Sequence, residues 1–156
     1  MYKWQPPKSR IATDVKNIEE KQLSIVDDFM MMGDGFSKYS YLVELSGLLP
    51  PMDKTKKTED NLVRGCQSRV WLAAGVENGR FYFEADSDTF IIKGVLYLLR
   101  EVLWGQPAKD VAEAKLDFLG KADITATFNA DRQKGIGYVV KTLREKATLD
   151  ELSNSK

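Results

Sequence analysis

Residues 70–85 have the sequence VWLAAGVENGRFYFEA, in which two runs of alternating apolar residues flank the pair Asn78-Gly79. Alternation with a period of two is typical of strands, because successive side chains point to opposite faces of a sheet. Asn-Gly is a favoured pair for a two-residue hairpin turn, since both residues tolerate a positive φ. The stretch therefore predicts an antiparallel β-hairpin, and a short further strand is predicted at Leu62-Val63.

Two helices are predicted before the hairpin. The apolar spacing predicts a first helix from about Asp14 to near Gly33, and a second from Tyr39 to Leu49 that stops at Pro50-Pro51. We expect these two helices to pack as a helical hairpin. The methionines at 30–32 are interpreted as core filler.

Further helices are predicted after the hairpin. Residues 90–103 are apolar on most faces and predict the central helix, which Gly105 and Pro107 end. Asp86, Ser87 and Asp88 offer oxygens to cap its start. Short helices are predicted at 107–114 and 116–119, and a last one from 131 to about 146. The chain is thus expected to form one α+β domain at 14–148, between a flexible lead at 1–13 and a frayed tail at 149–156.

The composition excludes several partners and locations. The chain has 23 Lys and Arg against 23 Asp and Glu, so no bulk field attracts nucleic acid or anionic lipid. A protein partner or a small substrate is favoured instead. No stretch reaches the roughly 18 uninterrupted apolar residues of a membrane span, and no signal-peptide core is present at the start. We therefore expect no membrane association and a cytoplasmic location, where a thiol stays reduced.

The chain contains no histidine and one cysteine, Cys66. The lack of histidine excludes Ser-His-Asp and Cys-His catalysis and the usual mixed zinc sites. A single thiol excludes an internal disulfide, a Cys-x-x-Cys redox pair and a cluster held by several thiolates of one chain. No metal or cofactor is expected, whereas a sulfur relay needs only one thiol.

The neighbours of Cys66 indicate a presented thiol. A lone cysteine is often a buried small hydrophobe, but Gly65 lets the backbone turn beside it, and Gln67 and Ser68 suit a loop. Arg64 and Arg69 either place positive charge near the sulfur and favour its thiolate, or solubilise the edge of the sheet. Both interpretations stay open.

Three segments are similar to the motifs of the SufE family. They are Gly65-Cys66-Gln67-Ser68-Arg69-Val70-Trp71, Asp86-Ser87-Asp88-Thr89-Phe90-Ile91-Ile92-Lys93-Gly94, and Asp131-Arg132-Gln133-Lys134-Gly135-Ile136. The resemblance covers about residues 28–147. The segment 124–130 departs from the family pattern, since it lacks the histidine and the Ser-Pro pair expected before Arg132.

The resemblance implies a SufE/IscU-like α+β fold, with a small antiparallel sheet packed against helices. It implies that Cys66 accepts persulfide sulfur from a separate pyridoxal-phosphate-dependent cysteine desulfurase, of the SufS or CsdA type, and stimulates that enzyme. The sulfur then passes to an iron–sulfur scaffold complex. Arg132 matches an arginine that contacts the desulfurase, and Asp86 and Asp88 are further candidate contacts, although helix capping explains them as well.

Other interpretations of the sequence remain. The chain itself is expected to have no independent turnover, and a second copy of it is a candidate partner. A second interpretation is that the chain regulates a desulfurase by contact alone, with Cys66 as incidental packing. A redox-sensing thiol is a third interpretation.

Overall fold

A computed structural model describes residues 16–154 of the chain, with side chains through residue 148. The predicted lead at 1–13 and the predicted helix start at Asp14 lie outside the described residues. The fold is α+β, as predicted. The helices and strands follow in this order: α1 Ile18–Met30, α2 Gly35–Ser46, β1 Val70–Glu77, β2 Arg80–Ser87, α3 Phe90–Leu103, α4 Ala108–Glu113, α5 Phe118–Lys121 and α6 Ala130–Asn154.

The predicted hairpin is confirmed. β1 pairs with β2 antiparallel, and Glu77 lies opposite Arg80 across the turn. Asn78 and Gly79 both have positive φ, 54° and 76°, as the turn requires. Where a further strand was predicted, Leu62 forms only an isolated bridge with Trp71, and the N–H of Val63 donates to the carbonyl of Val70 at 2.8 Å.

The central helix α3 lies in the middle of the hydrophobic core. Leu96 and Leu99 are fully buried, as are Phe81 of β2 and Leu42 of α2. Both α1 and α2 pack on α3, so the predicted hairpin of the first two helices is not their main packing. α1 and α2 meet through the rings of Phe29 and Tyr41, whose centroids are 5.4 Å apart.

Polar caps set the starts of α1 and α2, and two helices end at other residues than the apolar spacing predicted. α1 begins at Ile18 because Asn17 and Glu20 form a capping box. α2 begins at Gly35 because the carboxylate of Asp34 accepts the N–H of Ser37 at 2.7 Å, and it ends at Ser46, before the prolines. α6 continues past residue 146 to Asn154, so the predicted tail at 149–156 begins inside a helix.

The methionines at 30–32 differ in their exposure to solvent. Met30 and Met31 are 53% and 85% exposed, so the interpretation of both as core filler is wrong, whereas Met32 packs against the core. No helix in the described part of the chain has the length and apolar character needed to cross a membrane.

Candidate functional site

Cys66 lies in the loop 64–69, which follows a 3-10 turn at Glu59–Asn61 and leads into β1. Gly65 has a φ of +89°, a conformation that glycine adopts without the strain of a side chain. The predicted turn beside the thiol is therefore present. It directs the loop towards the first turns of α6.

Hydrogen bonds attach the end of this loop to the junction between β2 and α3. The hydroxyl of Ser87 donates to the carbonyl of Arg69 at 2.7 Å, and the N–H of Arg69 donates to the carboxylate of Asp88 at 3.2 Å. The hydroxyls of Thr89 and Ser68 are 2.8 Å apart. Together these bonds set the position of residues 68 and 69, while leaving residues 64–67 to other contacts.

The capping role predicted for Asp86, Ser87 and Asp88 is wrong. Thr89 precedes α3, and it makes no side-chain cap hydrogen bond. Asp86 and Ser87 belong to β2, and Asp88 serves the cysteine loop. Their oxygens accept hydrogen bonds from neighbouring residues, such as the N–H of Thr89 to the hydroxyl of Ser87 at 3.3 Å. Asp88 and Ser87 also bond to Arg69, 19 and 18 positions earlier in the chain.

The thiol of Cys66 is half-buried and faces α6. Its Sγ lies 3.3 Å from the carbonyl oxygen of Gly135, to which the thiol donates a hydrogen bond. A cavity of about 20 Å³ adjoins the sulfur, which is room for about one water-sized atom. Its lining residues come from the loop, from α3 and from α6: Cys66, Gln67, Ser68, Val70, Ile92, Asp131, Arg132, Gly135, Ile136 and Val139.

Burial raises the pKa of the Cys66 thiol above its ordinary value, because the thiolate loses hydration when it is removed from water. The hydrogen bond to Gly135 also requires the protonated thiol. Arg64 does not activate it, since that guanidinium is exposed and pairs with Glu59 at 3.7 Å. Neither Arg64 nor Arg69 lowers the pKa of the thiol, so the sulfur is a poor nucleophile in this conformation.

Arg132 lines the same cavity as Cys66. It lies in the first turn of α6, where its N–H donates to the side-chain oxygen of Asn129 at 2.8 Å. Its guanidinium carbon is 5.9 Å from the ring centroid of Phe128, within range of a cation–π contact. The structure thus brings Cys66, Gln67, Ser68 and Arg132 together, as candidate site residues from two distant segments.

Asp86 forms ion pairs with lysines of this chain. Its carboxylate forms an ion pair with Lys57 and lies 3.7 Å from the ammonium of Lys93. Burial alone would raise the pKa of Asp86, but hydrogen bonds from Lys57 and the Ser87 N–H, with the charges of both lysines, hold it below its usual value. The ion pair with Lys57 attaches residues 53–60, the segment before the cysteine loop, to β2.

Sequence reasoning missed Asp131, Gly135 and Tyr138 as neighbours of the thiol. Gly135 and Asp131 line the cavity, and the ring of Tyr138 lies over Gly65. A glycine inside a helical pattern is a signal of close packing, and it was available at Gly135. Tyr138 carried no such signal.

The described residues contain no group of three or more Cys, Asp or Glu side chains placed to hold a metal ion. The side chains that line the cavity include one thiol, Cys66, and two charged groups, Asp131 and Arg132. A thiol of this kind can exchange with another sulfur through its thiolate once its proton is removed.

A family model and individual relatives of this chain indicate the same family. The family described as "SufE: Fe-S metabolism associated domain" matches residues 23–147. An uncharacterized SufE-like protein of Rhizobium etli is 33% identical over 128 residues, 79% of this chain and 86% of that protein. SufE-like protein 1 of Arabidopsis thaliana, chloroplastic/mitochondrial, is 32% identical over 86% of this chain and 37% of its own length.

A solved structure has the same fold. The solution structure of a hypothetical protein from Thermus thermophilus is similar with a TM-score of 0.71 and 21% identity, over 85% of this chain and 96% of that one. At this identity the likeness shows the fold alone.

Proposed function

Because this chain belongs to the SufE family, whose domain is associated with iron–sulfur metabolism, we propose that it is a sulfur carrier. Cys66 accepts sulfur from a cysteine desulfurase, stimulates that enzyme by removing its product, and delivers the sulfur to iron–sulfur cluster assembly. The observation that supports this most is the position of the thiol, half-buried beside a cavity of about 20 Å³ that Arg132 also lines.

The size of the cavity argues for a protein-bound sulfur donor. Sites for small-molecule substrates usually enclose about 300–1,000 Å³, whereas this cavity has room for about one atom beyond the thiol. A single sulfur atom matches that space better than a whole amino acid does. This supports a division in which the desulfurase cleaves the amino acid and only its sulfur reaches this chain.

The transfer needs no oxidant or reductant. The Cys66 thiol loses its proton, and its sulfur attacks the outer sulfur of the persulfide on the desulfurase. The S–S bond of the donor breaks as a new S–S bond forms on Cys66, and the donor cysteine leaves as a thiolate that takes up a proton. The chain then holds a Cys66 persulfide, and the next acceptor repeats the exchange.

The raised pKa of Cys66 keeps the unpartnered carrier unreactive. A protonated, half-buried thiol reacts slowly with peroxides and avoids oxidation to sulfenic and sulfinic acids. The partner must therefore expose the sulfur and favour its thiolate. Two groups are suited to contact a protein: Phe90, which is 67% exposed, and the partly exposed Arg132, which lines the cavity.

Intact mass spectrometry tests the proposal. The chain is mixed with a cysteine desulfurase and cysteine, and the expected product carries one added sulfur atom that a thiol reductant removes. Cys66→Ser should show no added sulfur and no stimulation of the desulfurase. No added sulfur on the wild-type chain with desulfurases of either the SufS or the CsdA type would contradict the carrier function.

A contact regulator is the alternative function, and the same variant separates the two. A chain that acts by contact alone keeps its stimulation of the desulfurase after Cys66→Ser, because the substituted atom is half-buried and small. A carrier loses that stimulation although it still binds. Binding of both chains to the desulfurase, measured by calorimetry, is the control.

A further inference from the structure

The cysteine loop and α6 contact each other through a glycine on each side. A Cβ atom placed on Gly65 would lie 2.6 Å from Cε2 and 2.7 Å from Cδ2 of Tyr138, so the tyrosine ring rests directly on the loop backbone. A Cβ atom placed on Gly135 would lie 3.5 Å from Cα and 3.6 Å from Sγ of Cys66. The loop and α6 can approach each other this closely because each has a glycine, with no Cβ, at the point of contact.

The two contacts act on neighbouring loop residues from one face of one helix. Gly135 and Tyr138 are three positions apart on α6, and residues at this spacing share a helix face. Gly135 supplies the carbonyl that accepts the hydrogen bond of Cys66 at 3.3 Å, and Tyr138 covers the residue just before Cys66. The ring therefore lies where it prevents residue 65 from lifting off the helix.

The rest of the loop is restrained from other directions. Ser68 and Arg69 are held by hydrogen bonds to the β2–α3 junction. Arg64 is exposed and pairs with the side chain of Glu59 at 3.7 Å, in an exposed ion pair that contributes little. Residues 65 and 66 consequently depend on α6 for their position.

We propose that Tyr138 is a positioning residue, whose ring holds Gly65 against α6 and thereby keeps the Cys66 sulfur turned towards the carbonyl of Gly135. Displacement of the ring frees residues 65 and 66 to move away from α6 while the anchored Ser68 and Arg69 stay in place. Its part in sulfur transfer rests on the proposed function, whereas its effect on the thiol does not.

The contact is made by ring carbons, which determines the choice of variants. Tyr138→Phe keeps the ring on Gly65, and Tyr138→Ala removes it. Tyr41→Ala is the matched control for general loosening, because it removes a half-buried tyrosine from the unrelated contact with Phe29. The charged residues that line the cavity, Asp131 and Arg132, and those of the loop, Arg64 and Arg69, are unchanged in all three variants.

The experiment measures the rate of alkylation of Cys66 by iodoacetamide across pH, without any partner protein. For Tyr138→Ala we expect a lower thiol pKa than in the wild type, and a rate at neutral pH that rises up to about tenfold for each unit by which that pKa falls. Tyr138→Phe and Tyr41→Ala should both keep the wild-type pH profile. Circular dichroism shows whether each variant is folded.

Three results would overturn the proposal. They are a wild-type pH profile in folded Tyr138→Ala, a shifted profile in Tyr138→Phe, and an equal shift in Tyr41→Ala. Should Tyr138→Ala not fold, Tyr138→Leu takes its place, because it keeps apolar volume on α6 but lacks the flat ring that covers Gly65.

Sulfur loading by a desulfurase is a separate measurement on the same variants. If Tyr138→Ala alters the alkylation profile but no chain ever acquires sulfur, the positioning role stands and the carrier function fails. If the wild type acquires sulfur and the alkylation profiles do not differ, the carrier function stands and the positioning role fails.

Discussion

The hairpin with α3 and the cysteine loop are neighbours in the chain, but they are held together in different ways. β1 and β2 form a continuous ladder from Val70–Ser87 to Glu77–Arg80, and Phe81 of that ladder is fully buried. The loop at 64–69 has no ladder. It is held by side-chain hydrogen bonds at one end and by two glycine contacts with α6 at the other.

This difference shows how a small domain separates stability from reactivity. Buried apolar area and regular hydrogen bonds supply most of the stability of a fold, and segments with few such contacts open at lower free energy. The thiol lies in a segment of the second kind, attached to a framework of the first kind. Local opening can therefore expose Cys66 without unfolding α3.

The largest effect that we expect is on the framework, at Gly94 of α3. A Cβ atom there would overlap the backbone carbonyl of Leu42 in α2, and backbone cannot move aside as a side chain does. Gly94→Ala should lower the free energy of unfolding by about 3 kcal/mol, as measured by urea denaturation. Gly137→Ala on α6, where nothing lies within 4 Å of an added Cβ, is the control and should not destabilise. A stable Gly94→Ala would show that α2 and α3 are not closely packed.

The next effect compares two glycines with positive φ, Gly65 in the cysteine loop and Gly79 in the hairpin turn. Gly79→Ala in the hairpin turn carries only the cost of a positive φ, about 1–2 kcal/mol, since the space around it is open. Gly65→Ala carries a similar backbone cost and also displaces the ring of Tyr138. We expect both to lower the free energy of unfolding, but only Gly65→Ala to speed alkylation of Cys66. Equal alkylation rates would show that the loop does not depend on the ring.

A smaller effect of opposite sign is expected at Gly135. A methyl group there fits at ordinary contact distance from Cys66, and alanine stabilises a helix interior by up to about 1 kcal/mol relative to glycine. Gly135→Ala should therefore unfold at higher urea concentration and alkylate no faster than the wild type. Gly137→Ala should show the stabilisation without any change at the thiol, and faster alkylation in Gly135→Ala would contradict the contact.

The smallest effect is the pH dependence that Cys66 itself adds. Because burial raises its pKa in the folded chain, the folded state keeps its proton at pH values where the unfolded thiol, with a pKa of about 8.5, has lost it. The contribution is complete below the unfolded pKa and is lost as pH rises through the folded pKa. Urea denaturation from neutral to alkaline pH should show a steeper loss of stability for the wild type than for Cys66→Ser. Parallel curves would mean that the thiol is not buried.

Elements with a regular period could be predicted from the sequence. Alternation placed the hairpin and its Asn78-Gly79 turn, and the apolar run at 90–103 placed α3 with its end before Gly105. Both signals are local, since they depend on which face of one element is buried. Cys66 was singled out by composition, as the one thiol of the chain, and by its neighbours Gly65 and Gln67.

Contacts between distant residues could not be predicted in the same way. Asp88 was interpreted as a helix cap, but its carboxylate meets the N–H of Arg69, 19 positions earlier. Arg64 and Arg69 were candidates because they are close to Cys66 in sequence, yet they do not lower its pKa. Adjacency in an irregular loop does not fix where a side chain points.

The sequence by itself determined the fold class, the hairpin, the central helix and the identity of the one thiol, because periodicity and composition are properties of the chain. Only the tertiary structure decided the state of that thiol. Its raised pKa, its hydrogen bond to Gly135 and the ring over Gly65 arise where residues 65–66 meet residues 135–138. Burial and contact depend on distances that exist only after the two segments pack together.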